Sequence, residues 1–360
     1  MDDRERLILL NTIPDVGSLR FRRLLDAFGS LAAIFTASAA QMRQVEGIGP
    51  VLAERIAGWP HEPSAAEDEL RRAERAGCAV ITWLDEAFPV VLKNIPDPPM
   101  VIYMKGQWVP EDQTAVGVVG SRLASLYGQQ MAQRLAHDLA LHGVTIVSGL
   151  ARGIDGAAHR GALKAQGRTI GVIGSGFNRF YPPEHVDLAE EIAAHGAVIS
   201  EYPMEMEPVP ANFPRRNRLI SGLSLGVVIV EAAKRSGALI TADCALEQGR
   251  EVFAVPGKAD SATSQGTHQL LRQGARLATS ADDILEELGL GPGAAAPRRV
   301  GVTDDERMLM EQLKRNEPRD VDLLAEKTGL PAAVCASALL GLELKRLVKQ
   351  LPGKRFVPWN

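Results

Sequence analysis

The sequence predicts an α/β protein built on a Rossmann-like, doubly wound, mostly parallel sheet. An N-terminal helical domain of helix-hairpin-helix (SAM-like) type precedes it, and a C-terminal winged-helix domain follows. Three observations carry this reading. Short Val- and Ile-rich runs recur between Ala115 and Val255, with helical stretches between most of them. Gly- and Ser-rich loops follow several of those runs. A Gly/Ala/Pro stretch beginning at Gly289 separates off a small final segment. The implied domains are 1–63 (helical), 64–290 (core with its N-terminal extension), 291–299 (linker) and 300–360 (winged helix).

Residues 4 to about 60 read as short helices. Ile13-Pro14-Asp15-Val16-Gly17 leads into a helix ending near Phe28-Gly29, and Val45-Glu46-Gly47-Ile48-Gly49-Pro50 leads into a second. A Gly-h-Gly turn of this kind can bring backbone N–H groups to a phosphate at a helix N-terminus. Few basic residues flank it, so a structural hairpin is favoured over direct DNA contact. A helix Glu67–Ala76, a strand Ala79–Trp83, a proline-rich stretch Ile95–Pro99 and a strand Met100–Met104 connect this region to the core.

The core strands are expected at Ala115–Val119, Val144–Val147, Thr169–Ile173, Ala197–Ser200, Gly226–Val230 and Glu251–Val255. Near-continuous apolar strands separated by helices imply a parallel sheet covered on both faces. Right-handed crossovers then gather the strand C-termini at one edge, where ligands bind. Small-residue loops follow there: Gly120-Ser121-Arg122, Ser148-Gly149, Gly174-Ser175-Gly176 and Glu231–Gly237. Their recurrence predicts an extended anion-binding edge. No G-x-G-x-x-G follows the first strand and no Walker A sequence is present, so no cofactor is expected. Beyond the linker, Thr303 caps a helix Asp304–Lys314. Further helices are expected at Val321–Thr328 and from Pro331 to about Arg346, and Leu347–Val357 reads as the wing.

Composition narrows the classes of function. The chain has 360 residues, 46% of them hydrophobic, and a formal net charge of −4. Any nucleic-acid site must therefore be a local patch. No apolar run approaches the ~18 residues of a membrane span. The acidic start Met1-Asp2-Asp3 lacks a signal-peptide n-region, which predicts a cytoplasmic protein. Cys78, Cys244 and Cys335 are odd in number and scattered, as suits a reducing compartment. No Cys or His pair has zinc spacing, so no metal is expected.

Against this acidic background stands Asn212-Phe213-Pro214-Arg215-Arg216-Asn217-Arg218. Arginines neutralise phosphates, and an adjacent aromatic stacks on a base whatever its identity. The plain alternative is a solvated helix turn with a buried Phe. Asp155 and His159, spaced i and i+4 on one helix face, read either as an acid–base pair or, the favoured reading, as a buried hydrogen-bonded pair that fixes the loop. Glu201 and Glu231, at strand ends without a partner base or nucleophile, read as structural.

From Val119 to Ala275 the sequence resembles the DNA-processing protein A family, also called Smf. The matching runs are Gly120-Ser121-Arg122, Ser148–His159, Tyr181-Pro182, Ser200–Pro203, Asn212–Arg218, Ser236-Gly237, Glu247–Arg250 and Phe253–Gly257. The resemblance implies a homodimeric single-stranded DNA-binding protein without required catalysis. Such a protein shields incoming strands during natural transformation and loads the RecA recombinase. By motif, Ser121 and Arg122 would contact phosphate, Ser148 and Gly149 would line the pocket, and Phe213 would stack on a base. Arg215, Arg216 and Arg218 would supply charge or brace the loop, and Lys234 and Arg235 lie near the same edge. Leu271 and Leu277 are either core or dimer interface. Two family positions that are often basic read here as Pro183-Glu184 and Val209-Pro210-Ala211, with Arg179 a candidate replacement. The alternative reading is a nucleotide-processing enzyme of phosphoribohydrolase type, but its Pro-Gly-Gly-x-Gly-Thr loop is missing. The winged helix is nearly charge-balanced, so it is as well suited to a protein contact as to DNA.

Overall fold

The computed structural model describes residues 1–59, 63–290, 303–313, 318–344, 348–351 and 355–358. The described chain divides into two units, Met1–Leu288 and Gly289–Asn360.

The first unit is organised by a nine-stranded sheet. Its strands are β1 (Ala79–Thr82), β2 (Val101–Gly106), β3 (Ala115–Val119), β4 (Thr145–Ser148), β5 (Thr169–Val172), β6 (Ala197–Ser200), β7 (Gly226–Ile229), β8 (Glu251–Ala254) and β9 (Arg276–Leu277). Their order is β1-β2-β6-β5-β4-β3-β7-β8-β9. From β6 across to β9 every pairing is parallel. β2 joins β6 antiparallel, and β1 joins β2 likewise. β3 to β8 are almost wholly buried and apolar, as strands covered by helices on both faces must be. The expected strands are present to within a residue or two. The sequence reading missed the two-residue β9 and did not place β1 and β2 in the main sheet.

Chain order sets the location of the crevice. From β3 the chain winds outward through β4 and β5 to β6. It then returns to the other side of β3 and continues through β7, β8 and β9. The reversal lies between β3 and β7, and a doubly wound sheet opens a ligand crevice at such a point.

The N-terminal helices include Asp3–Thr12, Ser18–Phe28, Leu31–Thr36 and Pro50–Ala57. Gly17 and Gly49 precede the two hairpin helices, and neither supplies a side-chain cap. Leu7, Leu10, Phe21, Leu24, Ile34 and Ile56 form this region's core, which continues onto Tyr103 of β2. Polar contacts also tie it to the sheet. Asn11 Nδ2 donates to Glu201 O at 3.0 Å, and Met204 N donates to the buried Glu69 Oε1 at 2.7 Å. The expected helix at Glu67–Ala76 runs from Pro63 to Arg75.

In the second unit, helices Asp304–Gln312, Val321–Thr328 and Ala332–Leu344 accompany strands β10 (Arg319–Asp320), β11 (Val348–Leu351) and β12 (Arg355–Pro358). The sheet order is β10-β12-β11, as in a winged helix. Thr303 and Glu306 form a reciprocal capping box, and Gly329 ends the middle helix with φ 71°. Leu309, Leu324, Leu339, Val348 and Phe356 close its core. The expected linker 291–299, the end of the first helix at Lys314, the end of the third near Arg346 and the wing turn Pro352-Gly353 lie outside the described residues. Among the described residues no single helix is long and apolar enough to cross a membrane.

Candidate nucleic-acid interface

A cavity of about 670 Å³ opens at the β3/β7 crevice. The loop Gly120–Leu123 forms one wall, Ala233–Ala238 a second, and Pro210, Phe213 and Pro214 a third. Gly120 is required here, because a Cβ would lie 2.6 Å from Ile154 Cγ1 and 2.9 Å from Glu231 O.

The exposed Arg122 is placed by the end of β3. Ser121 N donates to Glu231 O at 2.8 Å, and Ser121 Oγ accepts from Leu123 N at 3.1 Å. The Arg122 guanidinium lies 4.9 Å from the centre of the Phe213 ring. It makes no ion pair among the described residues, so its charge faces the cavity unneutralised. Phe213, half-buried, also lies 5.8 Å from the Tyr181 ring, tilted at 58°. Gly174 gives the ring its room, since a Cβ there would approach Phe213 Cδ1 to 2.9 Å. Arg152 lies 5.6 Å from the Tyr181 ring's centre. Phe213 thus adjoins both the Arg122 guanidinium and the Tyr181 ring. Tyr181 belongs to the Tyr181-Pro182 motif but is not among the expected site residues. It lies over 30 positions from Phe213, and only the fold brings the two rings together.

The helix Asn212–Gly222 explains the fates of the three arginines. Successive helical residues turn by about 100°, so positions 215, 216 and 218 point in three directions. Arg215 is exposed and makes no ion pair among the described residues. Arg216, only 3% exposed, points under the cavity. Its Nη1 donates to Gly149 O at 2.6 Å and also to Val172 O, while Nε has no partner. Burial lowers its pKa to about 10, opposed by the charge of Asp155. Arg218 points away from the cavity. It holds Glu201 with two bonds of 3.0 and 2.7 Å, and Asp97 with a third of 2.9 Å. These carboxylates hold its pKa above the ordinary arginine range against the cost of burial. The expectation that Arg218 binds DNA is therefore corrected: its donors are occupied by structural carboxylates.

One further expectation is corrected. Ser148 is fully buried and donates its hydroxyl to Val118 O at 2.6 Å, so it belongs to the sheet rather than the cavity wall. Gly149 is buried yet lines a small pocket together with Arg122, Tyr181 and Phe213, and its N–H donates to Asp155 Oδ2 at 3.1 Å. A Cβ on Gly149 would come within 2.5 Å of Arg216 Nη2 and 2.6 Å of Asp155 Oδ2. Its role is to let that buried pair approach the loop.

Asp155 and His159 do not bond each other, contrary to expectation. Asp155 accepts from Gly149 N and Ala151 N, fixing the turn before its helix. Burial raises its pKa, opposed chiefly by Arg216. His159 Nδ1 lies 2.7 Å from Thr169 Oγ1, whose proton goes to Ile146 O. The neutral imidazole thus carries its proton on Nδ1. Burial, aided by the nearby charges of His185, Arg160 and Arg216, lowers its pKa to about 3. Glu231 is structural, accepting from Ser125 N, Ser125 Oγ and Thr263 Oγ1.

Lys234 and Arg235 are exposed on the loop between the wall residues Ala233 and Ser236. Leu271 packs against the main core, whereas Leu277 is 53% exposed on the edge strand β9.

Comparison with known proteins accords with this arrangement. Residues 79–289 match the family model for DNA recombination-mediator protein A. Residues 293–354 match the DprA winged helix domain, and residues 6–67 match a helix-hairpin-helix motif. Protein Smf of Escherichia coli (strain K12) is 41% identical over 310 residues, covering 84% of this chain and 82% of that protein. DNA processing protein A from Streptococcus pneumoniae superposes with a TM-score of 0.68 at 33% identity, covering 79% of this chain and 97% of that one. The single-stranded-DNA-binding DNA processing protein A from Helicobacter pylori superposes with a TM-score of 0.53 at 30% identity, covering 59% and 97%.

Proposed function

We propose a function from one premise: the chain belongs to the DNA recombination-mediator protein A family, whose role is DNA processing and recombination mediation. In that role this protein binds single-stranded DNA in the β3/β7 cavity. One observation carries the reading. An unpaired guanidinium, that of Arg122, stands over a half-exposed aromatic ring, Phe213, at the mouth of a crevice large enough for a nucleotide. Phosphate attracts the first, and a base stacks on the second without regard to its identity. The H. pylori relative, which binds single-stranded DNA, supports the same ligand class.

The residue roles follow from access. Arg122 and the Ser121 loop take phosphate. Phe213 and Tyr181 offer ring surface. Arg215 and Lys234 add charge at the rim. Arg216 braces the floor through Gly149. The reading includes no catalytic step, and the carboxylates near the cavity are occupied as structural acceptors. The proposal extends to loading of RecA on the bound strand, in the cytoplasm, and to a homodimer. The edge strand β9, with Leu277 exposed, suits a second copy. The division into 1–63, 64–290, 291–299 and 300–360 belongs to the same proposal.

Fluorescence anisotropy on a labelled single strand and its duplex, across a salt series, tests this. The expected result is a salt-sensitive preference for the single strand that Arg122→Ala and Phe213→Ala both lose. Equal, weak binding by all three proteins would remove the cavity as the site.

A further inference from the structure

The rim of the cavity is electrically one-sided. On the Tyr181 side, the exposed guanidiniums of Arg152 and Arg179 are covered by the protein's own carboxylates. Arg152 Nε is paired with Glu184, whose carboxylate is held below its ordinary pKa by that contact. Arg179 Nε lies 3.1 Å from Glu205 and 3.3 Å from Glu207. Three carboxylates thus face two guanidiniums. The segment that carries Glu205 and Glu207 runs directly into Pro208 and Pro210 of the cavity wall.

On the opposite side the balance reverses. Arg122, Lys234 and Arg235 make no ion pairs among the described residues. Large side chains lie open beside them. Leu123, next to Arg122, is 88% exposed, and Tyr127 is 47% exposed. Tyr127 is fixed in place, its hydroxyl donating to Pro256 O at 3.0 Å. Glu231 grips Ser125 through both backbone and hydroxyl, so the start of the Leu126–Leu141 helix lies against the loop that carries Lys234.

A bound strand needs phosphate partners and ring or apolar surface in alternation. The Arg122–Lys234 side offers both. The carboxylates on the other side already act as phosphate substitutes, and an incoming phosphate would have to displace them against their own repulsion. We propose that single-stranded DNA leaves the cavity in one direction, over Leu123 and Tyr127 beside Lys234 and Arg235, and not past Arg152 and Arg179. This rests on the cavity being the single-strand site, and it adds the path, Arg235 and a second stacking surface.

The test compares salt slopes for a labelled oligothymidylate long enough to extend beyond the cavity. Lys234→Ala with Arg235→Ala should flatten the slope by about 1.4, the loss of two single-strand phosphate contacts. Leu123→Ala with Tyr127→Ala should weaken binding about fivefold or more. Arg152→Ala with Arg179→Ala should leave affinity within about twofold and the slope unchanged. The direction is overturned if the Arg152/Arg179 variant flattens the slope as much as the Lys234/Arg235 variant. It is equally overturned if the Lys234/Arg235 and Leu123/Tyr127 variants bind as wild type. Should Arg122→Ala also bind as wild type, the cavity itself is the wrong site, a failure visible separately from that of the path.

Discussion

Arg218 and Arg122 belong to the same sheet edge but to opposite kinds of region. Around Arg218, charge is closed: Glu201 and Asp97 surround the guanidinium, and Ser18 of the N-terminal helices completes the contact at 3.5 Å. Around Arg122 charge is open, with an aromatic ring as its neighbour and solvent beyond. The difference teaches that an arginine indicates a ligand only when the protein has left it without a carboxylate. Closed arginines hold elements together, whereas open ones are available to a phosphate.

That contrast breaks most visibly at its closed end. Arg218→Ala leaves Glu201 and Asp97 without their counter-charge and should cost about 3 kcal/mol of stability, read from urea denaturation. The folded fraction should still bind single strands normally. A stable variant that fails to bind would reverse the assignment of the two regions. At the open end, Phe213→Ala should weaken single-strand binding by about 2 kcal/mol, roughly thirtyfold in Kd. Its urea midpoint should shift less than that of Arg218→Ala.

Acid should act on the floor and spare the mouth. The folded pKa of His159 is lowered to about 3 from 6.5, so its neutral form is stabilised by folding. That contribution is complete above pH 6.5 and is lost as pH falls toward 3, by up to about 1.4 kcal/mol per unit. Urea titrations from pH 7 to 4 should show the decline, and His159→Gln should flatten it. A decline unchanged in the variant would place the acid sensitivity elsewhere. The smallest expected effect is at Arg215, open but outside the cavity wall. Arg215→Ala should flatten the salt slope by about 0.7, one phosphate, with little change in stability.

Much of this was legible in the sequence, because the signals were local. Apolar runs marked the strands, small residues marked their C-terminal ends, and capping residues marked the winged-helix helices. The site was legible as a set of loops but not as a division of labour. Arg215, Arg216 and Arg218 read as one basic cluster, yet helical rotation sends them to solvent, floor and anchor. Ser148 looked like a loop hydroxyl, but it is the last residue of β4 and turns inward to Val118. Glu184 was noted as a missing cation, and its actual effect, covering Arg152, depends on a contact 32 positions away. β9 has only two residues and no periodicity to detect.

The bonds from Asn11 to Glu201 and from Arg218 to Ser18 have a practical meaning for anyone trimming this protein. A fragment starting near residue 64 would keep the sheet and the bond from Met204 to Glu69, but it would lose these two ties and expose the apolar face around Tyr103. A minimal binding fragment should therefore be cut at its C-terminal side, after Leu288, with the first helix left in place.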